Sequence, residues 1–250
     1  LSETADAFFD APALASSSDA VLGIVAFGLQ IYGDFSGYSR MAQGASHALG
    51  VDLVENFDRP YSARSFREFW RRWHISLSTW FRDYVYVPLG GNRKGPVRER
   101  ANLVATLLLS GLWHGAGGTF LLWGAMHAAL MVLESLSRGF WRRAPAALTL
   151  PLVWVAVFLA WVPFRAEGLG AVVDCYRALG HGGWAPPSLG FVFGALTLVL
   201  VDLLRVPLAA TPPERAAGGP GWAWVGRGAA WTACAVAFAT VTNLLWGATE

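Results

Sequence analysis

The apolar positions of this chain fall into long runs. Segments 20–31, 148–164, 189–204 and 229–246 carry almost no charge, and a further apolar run covers 101–136. Runs of this kind predict helices that cross or enter a bilayer, because a span of the hydrocarbon core takes about 20 apolar residues. The pattern gives about five or six membrane helices, most of roughly 16 to 18 residues and bordered by Trp, Pro or Arg. The predicted fold is all-α: a polytopic transmembrane helical bundle with interfacial and broken or re-entrant helices, in which residues 1–250 form a single membrane domain.

The run at 101–136 is interrupted in its middle by Trp113-His114-Gly115-Ala116-Gly117-Gly118. Residues 101–113 are too few for a full span. A helix entering at Arg100 rises roughly 20 Å over them, which places His114 at bilayer depth where the backbone bends. Glycine-rich, irregular backbone is tolerated there only if protein or a water-filled cavity satisfies its polar groups. An ionisable residue at that depth is a functional candidate, and the reading is that His114 lines a cavity. The alternative has His114 packed on a neighbouring helix and bonded to a carbonyl, with the glycines serving close helix contact.

A second pattern covers 66–84. There Phe66, Phe69, Trp70, Trp73, Leu77, Trp80, Phe81 and Tyr84 recur at helical spacing, with Arg67, Arg71 and Arg82 on the other side. This predicts one interfacial helix with His74 at the edge of its apolar stripe, near Arg71 and Ser78. Residues 87–95, Val-Pro-Leu-Gly-Gly-Asn-Arg-Lys-Gly, then break the helix and add two cations, Arg93 and Lys94. Upstream, Asp34 stands at the end of the first apolar run, where it is expected to face the bundle or cap a helix break. Segments 180–188 and 211–221 are rich in Gly and Pro and read as extramembrane loops.

Composition agrees with this picture: 54% of residues are hydrophobic, 14% are charged and thirteen are tryptophan. The net charge of +2 matters less than its distribution, because ten of the nineteen Lys and Arg residues lie between Arg59 and Arg100. The positive-inside rule puts that stretch, and the cluster Arg138, Arg142 and Arg143, on the cytoplasmic side of a cell inner membrane. The 101–136 segment is then a hairpin that enters and leaves from the cytoplasm. The basic face can pair with phosphates of a donor, through Arg71, Arg93 and Lys94, or with anionic lipid headgroups. Nucleic acid is a poor fit, since the interleaved aromatics follow a membrane helix. Cys175 and Cys234 match no metal or redox spacing and read as apolar fillers, and no metal or bound cofactor is expected. The chain begins without Met and ends just after an apolar segment, so it is expected to be a fragment of a longer protein.

These residues together resemble the membrane-bound O-acyltransferase family, in particular its alginate O-acetylation branch. The resemblance rests on Gln30-Ile31-Tyr32-Gly33-Asp34-Phe35-Ser36-Gly37-Tyr38-Ser39, Glu55-Asn56-Phe57-Asp58-Arg59-Pro60-Tyr61, and Phe69-Trp70-Arg71-Arg72-Trp73-His74-Ile75-Ser76-Leu77-Ser78-Thr79-Trp80. It continues through Arg82-Asp83-Tyr84-Val85-Tyr86-Val87-Pro88-Leu89-Gly90-Gly91-Asn92-Arg93 and Gly111-Leu112-Trp113-His114-Gly115, with a weaker match at Trp161-Val162-Pro163-Phe164-Arg165-Ala166. Arg40 departs from it, since that branch often has an acid there. The resemblance implies that His114 is the catalytic histidine and His74 a second functional one. It also implies a cytoplasmic acyl thioester such as acetyl-CoA as donor and an extracytoplasmic hydroxyl as final acceptor, on a polysaccharide or reached through an acetyltransferase partner protein.

On that basis His114 is the general base, backbone N–H groups of Gly115–Gly118 are candidate oxyanion donors, and an acyl-histidine intermediate is the alternative. His74 can orient the acceptor, assist proton transfer or hold the donor. Rival readings are D-alanyl transfer to teichoic acid from a carrier-protein thioester, a transporter, and a non-enzymatic scaffold.

Overall fold

The computed structural model describes residues 1–203, so the predicted helix at 229–246, the loop at 211–221 and Cys234 lie outside the described residues. Ten α-helices follow one another in this part: α1 Ser2–Asp10, α2 Ser17–Ala48, α3 Phe66–Arg72, α4 Ile75–Phe81 and α5 Gly95–His114, then α6 Gly118–Leu136, α7 Arg138–Arg143, α8 Ala146–Arg165, α9 Leu169–Ala178 and α10 Leu189–Leu203. No strand occurs among the described residues. Among the described residues, three helices, α2, α6 and α8, are long and apolar enough to cross a membrane.

The chain divides into two compact units, one made of Leu1–Gly37 with Glu55–Arg205, the other containing Tyr38–Val54. The candidate chemistry lies in the first. In the second, the chain turns back after α2, with Gln43 Nε2 donating to the Val54 carbonyl (3.1 Å) and His47 Nδ1 3.0 Å from Asp52 Oδ1.

Helix α2 starts at a reciprocal cap. Ser16 Oγ accepts from the Asp19 N–H (3.2 Å) while Asp19 Oδ2 accepts from the Ser16 N–H (3.0 Å), which satisfies two donors left over by the first turn. The apolar run stops at Ile31, but the helix continues through Asp34 to Ala48. Asp34 therefore does not cap a helix break. Its neighbours Gly33, Ser36 and Gly37 are tolerated inside a helix whose core-facing residues are held by tertiary packing.

Close approach of backbones organises the hairpin of α5 and α6. A Cβ on Gly111 would collide with the Phe120 carbonyl oxygen, and one on Gly124 with the Leu107 carbonyl oxygen, so each helix presents a glycine to the backbone of the other. Where α2 meets α8, the glycine faces a side chain instead, since a Cβ on Gly28 would enter the ring of Phe158. Tyr61 seals that junction: its hydroxyl donates to the Gly28 carbonyl, its ring stacks on Phe158 (5.1 Å), and its own carbonyl accepts from Trp154 Nε1. The predicted loop at 180–188 is free of helix, and Cys175 is buried as expected of a filler.

Candidate active site

The continuous helix predicted for 66–84 is broken at His74. Ser65 Oγ accepts from the Glu68 N–H (3.2 Å) to start α3, and the helix ends at Arg72. His74 itself has φ +42°, a left-handed conformation that costs a non-glycine residue about 1–3 kcal/mol. The force that holds it there comes from outside the segment. Asn56 Oδ1 accepts from both the backbone N–H (3.2 Å) and Oγ (2.6 Å) of Ser76, and the Asn56 carbonyl accepts from the Ile75 N–H (3.0 Å), which fixes the start of α4. Residues 82–86 then form a π-helical turn rather than continuing α4.

This break changes the meaning of the aromatic stripe. Phe69 and Trp73 are core residues, stacked on each other at 5.5 Å, and Trp73 lies 4.9 Å from Trp161 of α8. Only the later part of the stripe, with Trp80 and Tyr84, is exposed. Left-handed backbone at His74 turns its ring onto Phe35 of α2 (centroids 4.6 Å apart), and Ser76 Oγ lies 3.4 Å from His74 Nδ1.

His74 and His114 line one cavity of about 540 Å³ together with Phe27, Gln30, Ile31, Asp34 and Phe35 of α2, Trp113 of α5 and Phe164 of α8. His114 is the last residue of α5, as the broken apolar run predicts, and α6 begins at Gly118. Its ring is held by Trp113 (4.8 Å), Phe164 (4.9 Å) and Trp123 (5.2 Å). Gly115 is extended, and a Cβ there would strike the Phe120 ring, so the glycine makes room for an aromatic that also faces His114. The cavity reading of His114 thus holds over simple packing. Burial, and secondarily the nearby His114, push His74 down to about 4, so its imidazole is neutral at ordinary pH.

Arg71, Arg93 and Lys94 do not line this cavity. All three are exposed, Arg71 on α3 and the other two in the turn that leads to α5. That turn is built as its glycines require: Gly90 and Gly91 have φ +113° and +55°, and buried Asn102 Nδ2 donates to the Gly91 carbonyl (3.0 Å). The ion pairs of the basic region use other cations. Arg72 binds Glu68 (2.6 Å), while Arg67 and Arg138 both approach Glu99, at 3.9 and 3.6 Å. Much of the basic stripe therefore ties α3, α5 and α7 together. Among the described residues, no group of three or more His, Cys, Asp or Glu is placed to hold a metal.

One histidine escaped the sequence reading. His127 of α6 is 1% exposed, its ring enclosed by Trp70 (4.9 Å), Trp123 (5.0 Å) and Trp161 (5.9 Å), with Nε2 lacking a hydrogen-bond partner. A lone histidine inside an apolar run gives no periodic signal. Its spacing of four from Trp123 was the one available hint.

The family profile of the membrane-bound O-acyltransferases (MBOAT) matches residues 14–165, a stretch that contains both cavity histidines. The chain belongs to the membrane-bound O-acyltransferase family. It is 48% identical over 179 residues to the probable alginate O-acetylase AlgI of Azotobacter vinelandii, covering 70% of this chain and 35% of that protein. It is 36% identical to the peptidoglycan O-acetyltransferase of Helicobacter pylori over 70% of this chain and 34% of that protein. A shorter match, 36% identical over 44% of this chain and 30% of the relative, joins it to the teichoic acid D-alanyltransferase of Bacillus subtilis. The chain thus spans about a third of the length of these MBOAT relatives.

Proposed function

We propose that the full-length protein is an O-acyltransferase that moves an acetyl group from a cytoplasmic thioester, acetyl-CoA, toward hydroxyls of an extracytoplasmic polysaccharide. The observation that carries this reading is the convergence of His74 and His114, from separate elements, on one aromatic-walled cavity. In the step itself the acceptor oxygen attacks the thioester carbonyl, the C–O bond forms, the C–S bond breaks, and the hydroxyl proton passes through His114 to the departing sulfur. Imidazole is suited to that task near neutral pH. His74, neutral and turned onto Phe35, serves to orient the acceptor or the donor carbonyl.

The longer matches to relatives named as O-acetyl-transferring, one of them 48% identical, support acetyl over D-alanyl transfer. The basic region from Arg59 to Arg100 supports a cytoplasmic face for the donor in a cell inner membrane, with exposed Arg71, Arg93 and Lys94 as contacts for its phosphates. Final delivery to sugar is direct or passes through an extracytoplasmic partner protein. Mass spectrometry of the host's exopolysaccharide, with and without the intact gene, tests the reading: loss of acetyl esters is expected, and an unchanged ester content would overturn it.

A further inference from the structure

Asp34 is the one acid among the residues that line the cavity. It sits on α2 one turn after Gln30, on a face completed by Phe27, Ile31 and Phe35. An aspartate within a helix apolar enough to span a membrane is costly and calls for a physical reason. Other acids of the described residues are used in ion pairs: Asp6 binds Arg165 (3.0 Å), Glu68 binds Arg72 (2.6 Å) and Asp83 binds Arg82 (2.7 Å). The ion pairs and hydrogen bonds among the described residues do not use the Asp34 carboxylate in this way.

Base chemistry at His114 also puts a charge into the cavity. Acyl transfer turns the base into an imidazolium, and His114 is surrounded by Trp113, Phe120, Trp123 and Phe164. Across the cavity, the loop between α3 and α4 offers only His74, which cannot balance a positive charge. Helix α8 offers Phe164, and the adjacent Arg165 is a cation held by Asp6 and by the Phe9 ring (5.7 Å). Helix α2 offers Gln30 and Asp34.

We propose that Asp34 is a charge-balancing residue of the transfer reaction, its carboxylate sharing the cavity with His114 and offsetting the charge that His114 gains as it takes the acceptor's proton. This rests on the reading of His114 as the base. An opposite charge facing the same cavity favours the protonated form of a base.

The test uses full-length protein in membranes, with labelled acetyl-CoA as donor and the membranes' own polysaccharide as acceptor. Asp34→Asn is expected to lower kcat at least about tenfold with donor KM nearly unchanged, and to move the acid limb of the pH–rate profile to lower pH by about one unit. Asp34→Glu, which keeps the charge, should recover most of the rate and the original limb. The proposal is overturned if Asp34→Asn leaves rate and limb unmoved, or if both variants lose rate equally per inserted molecule with the limb in place, since that is the pattern of lost packing. Absence of transfer by the wild-type protein would instead overturn the reaction itself.

Discussion

His114 and His127 stand on the two arms of one helical hairpin, and both pack edge-on against the same residue, Trp123, at 5.2 and 5.0 Å. Their surroundings separate them. His114 ends α5, where the chain bends, and one side of its ring faces the cavity shared with His74 and Asp34. His127 lies inside α6, shut in by Trp70, Trp123 and Trp161, and does not line that cavity. The difference teaches that access decides between a chemical and a packing role. An imidazole can exchange a proton with substrate only if a hydroxyl can reach within hydrogen-bond distance of it.

The largest expected effect separates these two residues outright. His114→Ala in the full-length protein should reduce acyl transfer by about a thousandfold while the protein still inserts and folds. His127→Ala should do the reverse: a cavity left among tryptophans lowers stability by about 3 kcal/mol, with turnover per folded molecule within about threefold of wild type. Turnover assays alongside thermal unfolding in detergent decide the matter, and equal catalytic loss in both variants would erase the distinction.

A smaller effect comes from the seam that keeps the two arms in register. Gly124→Ala drives a methyl group into the Leu107 carbonyl, so α6 must shift away from α5 at a cost of about 1–3 kcal/mol. A lowered melting temperature with reduced turnover is expected, because Trp123 moves with it and Trp123 supports His114. Full stability in this variant would show that the arms do not depend on close backbone contact.

His74→Gln sharpens the comparison from the other side of the cavity. With its folded-state value near 4, His74 stays neutral above that pH and gains a proton only as pH falls through it. The variant should therefore run slower than wild type by a roughly constant factor, about tenfold, from pH 6 to 8. A ratio that changes across that range would assign His74 a titrating role.

The smallest effect belongs to the exposed cations. Neutralising Arg71 with Arg93 should raise donor KM about threefold to tenfold, as expected for two lost charge-assisted contacts at a wet surface, and the effect should shrink at high salt. Acceptor KM should not move. An unchanged donor KM would leave these residues as headgroup contacts.

Several features were determined by the sequence alone. The length of the apolar runs specifies a hairpin broken at His114, because hydrophobic length is a local property. The same holds for α8 and for the turn before α5, whose glycines take positive φ. The motifs specified the family, and they marked both cavity histidines. Tertiary structure decided the rest. The aromatic spacing of 66–84 reads as one helix, and it breaks at His74 because Asn56, some twenty residues upstream, offers acceptors to Ile75 and Ser76. No local pattern encodes that contact. The apolar run of α2 ends at Ile31, yet the helix carries Asp34 onward to the cavity. His127 and His114 have the same side chain, and only the packing of α3, α6 and α8 around one of them closes it off from the cavity.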